Sequence, residues 1–448
     1  MLLERHSHLL GGIITMLLLV SRILDYGRPK GYAAKCMNTT AAGGAGWMDD
    51  AFGGDSQGAH KVESHPDGWL STLRSPQLAR RAICFLSSYT WGELFLTYLI
   101  LQLIFLNLLL LVENIRDLIF RAPRVLKLGN SYLTAKPTRV DRKTALSYDT
   151  PWCLYERLKM VFFVFTGLIV LRLLILVVFA TTSLAMMSVC GLGGRNRYDN
   201  PVWFRVFSTL AYTAFCIAST GVGFYNFKVF GRFASREECK VLIGNHSCIY
   251  EVCLLFALTD YPAFVTRKGN KLPFFTSVER VSEAIQVDRE AVESRRRAAE
   301  ALRARAKNKN PNAPQLIVFP EGTTANQRAL FMFRKGAMEP GEPLQMICVS
   351  FPYKYFNPCW NGRCCGGNNF FELLFRLCIQ FVNRVEVRAL PVYTPTEEER
   401  NDPTIYANHC QEMMANVLRC GISNCTYADY VALQKGSQDP LSEGVAPS

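Results

Sequence analysis

Two stretches of this 448-residue chain carry side chains suited to acid–base chemistry. The first is Val241-Leu242-Ile243-Gly244-Asn245-His246-Ser247-Cys248-Ile249-Tyr250-Glu251. The second is Leu316-Ile317-Val318-Phe319-Pro320-Glu321-Gly322-Thr323-Thr324-Ala325-Asn326, followed shortly by Phe333-Arg334-Lys335-Gly336. Each reads as a short apolar strand running into a polar turn, and strand ends of this kind build sites in α/β folds. In the first stretch a carboxylate follows a histidine by five positions. A carboxylate on one imidazole nitrogen fixes the tautomer and leaves the other nitrogen to take a proton.

Residues five apart on a straight helix point about 140° away from each other. His246 and Glu251 therefore meet only if His246 lies in the turn before a helix and Glu251 lies one turn into it. Asn245 and Ser247 suit such a helix start. With six His and 37 acidic residues, chance supplies about half such a pair. A partly buried structural histidine beside a helix-start glutamate is an equal reading of that stretch alone. Phe319-Pro320-Glu321-Gly322-Thr323 is much harder to obtain by accident. Cys248 raises a third possibility, a Cys/His hydrolase, although its side chain would point away from the histidine.

In this order the two stretches resemble the lysophospholipid acyltransferase family, the glycerolipid acyltransferases with a His-x4-Asp motif. Ala284-Ile285-Gln286-Val287-Asp288-Arg289 is similar to the family's second motif, and Phe351-Pro352-Tyr353-Lys354 with Asn357-Pro358-Cys359-Trp360 to the fourth. Val385 through Tyr393 and Glu397-Glu398-Glu399 resemble the lysophosphatidylcholine and lysophosphatidylethanolamine branch. The resemblance covers about residues 155–430. One departure is Glu251, where the family usually has Asp; Glu is one methylene longer and can orient a histidine from a more distant backbone.

The resemblance implies transfer of an acyl group from acyl-coenzyme A to the free hydroxyl of a lysophospholipid, with lysophosphatidylcholine or lysophosphatidylethanolamine as acceptor. Phosphatidic acid synthesis from 1-acylglycerol-3-phosphate is the alternative within the enzyme class, and a catalytically weak membrane scaffold the alternative outside it. His246 is then the base and Glu251 its orienting carboxylate. Arg289 is the candidate fork for the acceptor phosphate. Glu321 and Gly322 belong to the acceptor site, Thr323 and Asn326 offer hydrogen bonds, and Lys335 is a candidate for the phosphates of either substrate. No bound cofactor is implied, because acyl-coenzyme A is a co-substrate. The 16 Cys show no paired metal spacing. Cys364 and Cys365 are candidate palmitoylation sites.

The elements that must position these residues follow from the pattern. Val241–Gly244, Ala263–Thr266, Ala284–Val287, Leu316–Phe319, Met346–Phe351 and Val385–Val392 read as strands. Glu251–Leu258, Arg289–Ala306, Phe370–Phe381 and Pro403–Leu418 read as helices. The expected fold is α/β, a mixed sheet flanked by helices, preceded by N-terminal membrane helices. The Arg-rich helix from 289 reads as a solvated face, or as a basic surface near lipid or coenzyme A phosphates.

Apolar residues at 49%, aromatics at 12% and a net charge of +13 suit a membrane protein whose polar face meets anionic lipid or substrate. Nucleic acid is the weaker partner for that charge, since long apolar runs accompany it and no nucleic-acid motif appears. Residues 1–30 read as a signal-anchor-like apolar segment and 31–90 as a disordered polar region. Residues 91–113 hold the clearest membrane helix, Leu94 to Val112, without a charge. Residues 114–160 are a basic loop, with ten Lys and Arg against five acids from Glu113 to Met160, and so cytoplasmic. Residues 161–230 hold apolar runs that either span or re-enter the membrane, with Arg172 expected to snorkel. The catalytic domain occupies 235–432, and 433–448 read as a disordered tail. The family's usual site is the endoplasmic reticulum membrane, with the catalytic domain facing the cytoplasm.

Overall fold

The computed structural model describes residues 90–119, 133, 135–147, 150–192, 200–267, 275–288, 291–308, 310, 313–359 and 370–434. The expectations placed on residues 1–89, on Arg289, Trp360, Cys364 and Cys365, and on the tail from 435 lie outside these residues. The chain divides into two units between Leu118 and Ile119. In the first, the described residues form helix α1, Trp91–Ile119. A reciprocal cap starts it: Thr90 N–H donates to Glu93, and Glu93 N–H donates to the Thr90 hydroxyl.

The second unit is built on a seven-stranded mixed sheet. Its strands are β1 (Phe224–Phe230), β2 (Val241–Gly244), β3 (Ala263–Arg267), β4 (Ile285–Val287), β5 (Leu316–Val318), β7 (Leu344–Ser350) and β8 (Asn383–Tyr393). They lie in the order β1-β8-β7-β2-β5-β3-β4, and β6 (Ala329–Leu330) pairs separately with β9 (Gly421–Ile422). Every pair in the large sheet is parallel except β7 with β8. The central strands β2 and β7 are runs of apolar residues because both of their faces are covered. By contrast β8 alternates: Val385 and Val387 are buried, while Glu386 and Arg388 pair at 3.1 Å on the half-open face.

Helices flank the sheet. They are α2 (Arg142–Leu146), α3 (Leu154–Phe165), α4 (Leu168–Cys190), α5 (Pro201–Gly221), α6 (Ile249–Leu258), α7 (Phe275–Val281), α8 (Val292–Ala306), α9 (Phe370–Cys378), α10 (Glu397–Asn401), α11 (Pro403–Leu418) and α12 (Tyr427–Gln434). The strand and helix expectations from 241 onward hold to within a few residues. Helix α11 begins where Asp402 accepts the Thr404 N–H and Pro403 fills the first turn. It buries Tyr406, Cys410, Met413 and Met414 against β7 and β8.

Three expectations about the first half need correction. The loop expected at 114–160 is not free throughout. Ala145 and Leu146 of α2 are buried with Phe331 and Cys425, and Asn416 Nδ2 holds the Ala135 carbonyl. The end of the 161–230 region is not a membrane helix but β1, an edge strand of the seven-stranded sheet. Its aromatic run, Phe224-Tyr225-Asn226-Phe227, continues the apolar pattern of α5, which hides the change of period.

The third correction concerns Arg172. The apolar run from 161 breaks at Gly167, which has φ +66°, so α3 and α4 are separate helices. Arg172 does not snorkel. It is fully buried and donates to the carbonyls of Cys378 at 2.7 Å and Phe381 at 3.1 Å, to the Gln380 carbonyl and to the Tyr225 hydroxyl. Held in this way, the two terminal nitrogens of the guanidinium cap the end of α9.

Helices α4 and α5 form a close hairpin. A Cβ on Gly221 would sit 2.5 Å from the Arg172 carbonyl oxygen, so only glycine allows this approach. By length and composition both helices could cross a membrane. At one end of the hairpin Arg172 grips residues 378–381. At the other, Met187 and Cys190 pack with Tyr261, Val278 and Val281. The hairpin therefore lies along the flank of the α/β unit for about 34 Å of helix, and leaves Val170, Leu174, Val177, Val202 and Val206 exposed on its outer face.

Candidate active site

The site is assembled by two adjacent parallel strands. β2 and β5 pair with Ile243 opposite Val318, so the turns that follow them emerge side by side at the carboxyl edge of the sheet. The turns are then tied together. Ala325 N–H donates to the His246 carbonyl at 2.7 Å, and His246 N–H donates to Glu321 Oε1 at 2.8 Å. On the other side Asn245 exchanges two hydrogen bonds with the main chain of Val349 in β7. The histidine is thus held through its backbone by the turn after β5, and the residue before it is held by β7.

Helix α6 begins at Ile249, so His246 stands in the turn before it and Glu251 lies in its first turn, the arrangement that spacing alone required. His246 Nδ1 lies 2.8 Å from Glu251 Oε1, which also accepts the Ser247 N–H. Glu251 is fully buried, and burial pushes its carboxyl above the ordinary range while the imidazole opposes that shift. The imidazole side chain is 22% exposed and lies against Phe319, ring centroids 4.9 Å apart. Nδ1 being held, Nε2 is the nitrogen left for a proton transfer.

His246 opens on a cavity of about 820 Å³, a size typical of small-molecule sites. Its walls are mostly apolar. They come from α4 (Leu184, Met187), α6 (Cys253, Phe256, Ala257), β3, α7, α8 (Ala298, Leu302) and the turn after β5. Successive turns of α6 carry Cys253 and then Ala257 away from His246, so the cavity leads from the histidine toward the apolar hairpin.

The other sequence candidates separate. Gly322 lines the cavity with φ +69°. Glu321 does not face it. Its carboxylate is buried, with Oε1 on the His246 N–H and Oε2 on the Phe331 N–H at 2.9 Å. Burial, reinforced by the nearby Glu251 charge, raises this carboxyl to about 8. Asn326 is also structural here: its amide donates to the carbonyls of Thr144 at 2.8 Å and Ser147 at 2.9 Å. Thr323 is buried and Lys335 exposed, and neither lines the cavity. Phe351 is buried in the core against Phe224. Cys248 is fully buried and desolvation pushes its thiol far up, which leaves no thiolate for a Cys/His hydrolase. Among the described arginines of α8, Arg303 pairs with Glu339 at 2.6 Å and Arg305 with Glu283 at 3.0 Å, as on a solvated face. No cluster of metal-ligating side chains occurs among the described residues.

Phe319 and Arg334 also line the cavity, although the sequence pattern marks Phe319 only as a strand end and gives Arg334 no role. The pattern Phe331 and Phe333 buried, Met332 and Arg334 exposed, is the period of an extended chain, and it sets Arg334 on the opposite side from the core.

The family model described as Acyltransferase matches residues 227–348, which include both turns. The chain is 36% identical over 208 residues to the lysophospholipid acyltransferase LPCAT4 of Mus musculus, covering 46% of this chain and 39% of that protein. It is 31% identical over 216 residues to lysophosphatidylcholine acyltransferase 1 of Homo sapiens, covering 48% and 40%. The chain thus matches about two fifths of the length of these relatives. Among solved structures, the 1-acyl-sn-glycerophosphate acyltransferase PlsC of Thermotoga maritima aligns with a TM-score of 0.32 at 17% identity, over 59% of this chain and 95% of that one.

Proposed function

We propose that this protein transfers a fatty acyl group from acyl-coenzyme A to the free hydroxyl of a lysophospholipid, with lysophosphatidylcholine or lysophosphatidylethanolamine as acceptor. The observation that carries the reading is the His246–Glu251 pair at 2.8 Å, set at the mouth of an apolar cavity inside an acyltransferase domain. The acceptor hydroxyl gives its proton to His246 Nε2 as its oxygen attacks the thioester carbonyl. The carbon–sulfur bond then breaks, and the coenzyme A thiolate takes the proton back from the imidazolium. A thioester is already activated, so no covalent enzyme intermediate is required. A positioned base contributes about 10²- to 10⁴-fold, and holding the two substrates together supplies much of the rest.

The apolar cavity suits a fatty acyl chain, and the hairpin beside it suits entry of that chain from a bilayer. A hairpin gripped at both ends by the domain lies along it, which supports shallow embedding over a crossing that would separate helix from domain. The endoplasmic reticulum membrane, with the acyltransferase domain on the cytoplasmic side, is the location we assign.

Membranes containing the wild type or His246→Ala test the reading by release of free coenzyme A with a panel of lysophospholipids. Release that needs a lysolipid and disappears in the variant is expected. Release that is equal in both proteins would remove His246 as the base.

A further inference from the structure

The cavity has one formally charged side chain besides the histidine among its described lining residues, and that is Arg334. Its backbone N–H is fixed on the Pro320 carbonyl at 2.9 Å, which binds it to the same turn that holds His246. Its guanidinium lies against Gly322: a Cβ there would stand 3.0 Å from Nε and 3.1 Å from Cζ. Tyr427, which also lines the cavity, supports the guanidinium from another side, with its ring centroid 5.6 Å from Cζ. A glycine and an aromatic ring therefore flank this cation in the wall of an apolar cavity that also carries His246.

We propose that Arg334 anchors a substrate phosphate beside His246. This rests on the acyl-transfer reading and deepens it. An amphiphile with an apolar tail, an anionic head and a hydroxyl between them matches a long apolar wall, one guanidinium and one imidazole in that order. The guanidinium offers paired N–H donors to two phosphate oxygens, which an ammonium cannot match. The phosphate is either that of the lysolipid or one of coenzyme A. Gly322 is then required for two reasons: its φ of +69°, and the room it leaves for the cation.

The test uses full-length protein in membranes, as wild type, Arg334→Ala and Arg334→Lys. Initial rates are measured against lysophosphatidylcholine at saturating acyl-coenzyme A, then with the roles reversed. Monoacylglycerol serves as an acceptor without phosphate, and an acyl-pantetheine thioester as a donor without nucleotide phosphates. For Arg334→Ala we expect the KM of one substrate to rise at least about tenfold, the loss of a charge-assisted hydrogen bond, with Arg334→Lys recovering part of it. If the rise is in the lysolipid KM and vanishes with monoacylglycerol, the anchored phosphate is the acceptor's. If it is in the acyl-coenzyme A KM and vanishes with the pantetheine thioester, it is the donor's. Unchanged KM values, or one equal loss of rate with every substrate, would overturn the assignment. A wild type with no lysolipid-dependent release is a failure of the acyl-transfer reading instead. Binding of radiolabelled lysophosphatidylcholine and of radiolabelled coenzyme A to detergent-solubilised wild type and Arg334→Ala then decides the anchor separately, and equal binding of both ligands by the two proteins overturns it.

Discussion

The backbone N–H of His246 donates to Glu321 Oε1 at 2.8 Å, a bond that joins positions 75 residues apart. The acid of the Phe-Pro-Glu-Gly-Thr turn thus positions His246 by its main chain, while Glu251 positions it by its ring. Both Glu321 oxygens accept backbone N–H groups, and the amide of Gln can accept only one of them. Glu321→Gln is expected to lower kcat by about 10- to 100-fold, the effect of one buried unsatisfied donor, with KM changing far less. It also changes how stability depends on pH. The folded protein holds the Glu321 proton up to about 8, against an ordinary 4.5. This contribution is complete below 4.5 and is lost as pH rises through about 8. The melting temperature of the wild type should therefore fall between pH 5 and 9 relative to Glu321→Gln. Parallel curves for the two proteins would refute the linkage.

Glu251 stands where the related motif has Asp, yet its carboxylate reaches both His246 Nδ1 and the Ser247 N–H. Shortening it draws the oxygen away from both. Glu251→Asp, although closer to the family pattern, is expected to lose between about 10- and 100-fold in kcat, the cost of an ångström-scale misplacement. Glu251→Gln keeps the length and removes the charge, and should lose about 100-fold or more. Steady-state rates with one acceptor decide the order; an Asp variant as fast as the wild type would show that the extra methylene is idle.

Ala257 lies one helical turn beyond Cys253 on the cavity wall of α6. Ala257→Phe fills space away from the base and should leave short acyl donors working while long ones fail. Competition between octanoyl- and palmitoyl-coenzyme A would report this as a change in product ratio of about tenfold, the discrimination available to an apolar pocket. A uniform loss for both donors would place the acyl chain elsewhere.

Arg172 is the bolt between the hairpin and the α/β unit. Arg172→Met removes the donors for the Cys378, Gln380 and Phe381 carbonyls and for the Tyr225 hydroxyl at once. The expected destabilisation is at least about 3 kcal/mol, seen as a lower melting temperature and earlier proteolysis. A variant as resistant as the wild type would mean that the apolar contacts of Met187 and Cys190 hold the hairpin without it.

Much of the α/β unit was legible because its central strands are short, purely apolar and followed by polar turns, as in Val241–Gly244 and Leu316–Val318. The meeting of His246 with Glu251 followed from helix geometry. Other features depend on tertiary partners that no local pattern names. Arg172 reads as a charge in search of water because its three carbonyl acceptors lie more than 200 residues away. Phe224–Phe230 looked like membrane because strand and helix share one apolar run. Glu321 and Asn326 looked like substrate ligands because their types fit that role, and only the packed loop shows their polar atoms engaged by the protein itself.

The distance in sequence between Arg172 and its acceptors also orders events in time. Cys378 and Phe381 follow it by 206 and 209 residues. At ordinary rates of synthesis, Arg172 waits roughly 10 to 40 s for them to be made. Throughout that interval the nascent hairpin presents an apolar surface with a cation that still lacks its three carbonyl acceptors, so this chain depends on whatever shelters that segment until residues 378–381 have left the ribosome.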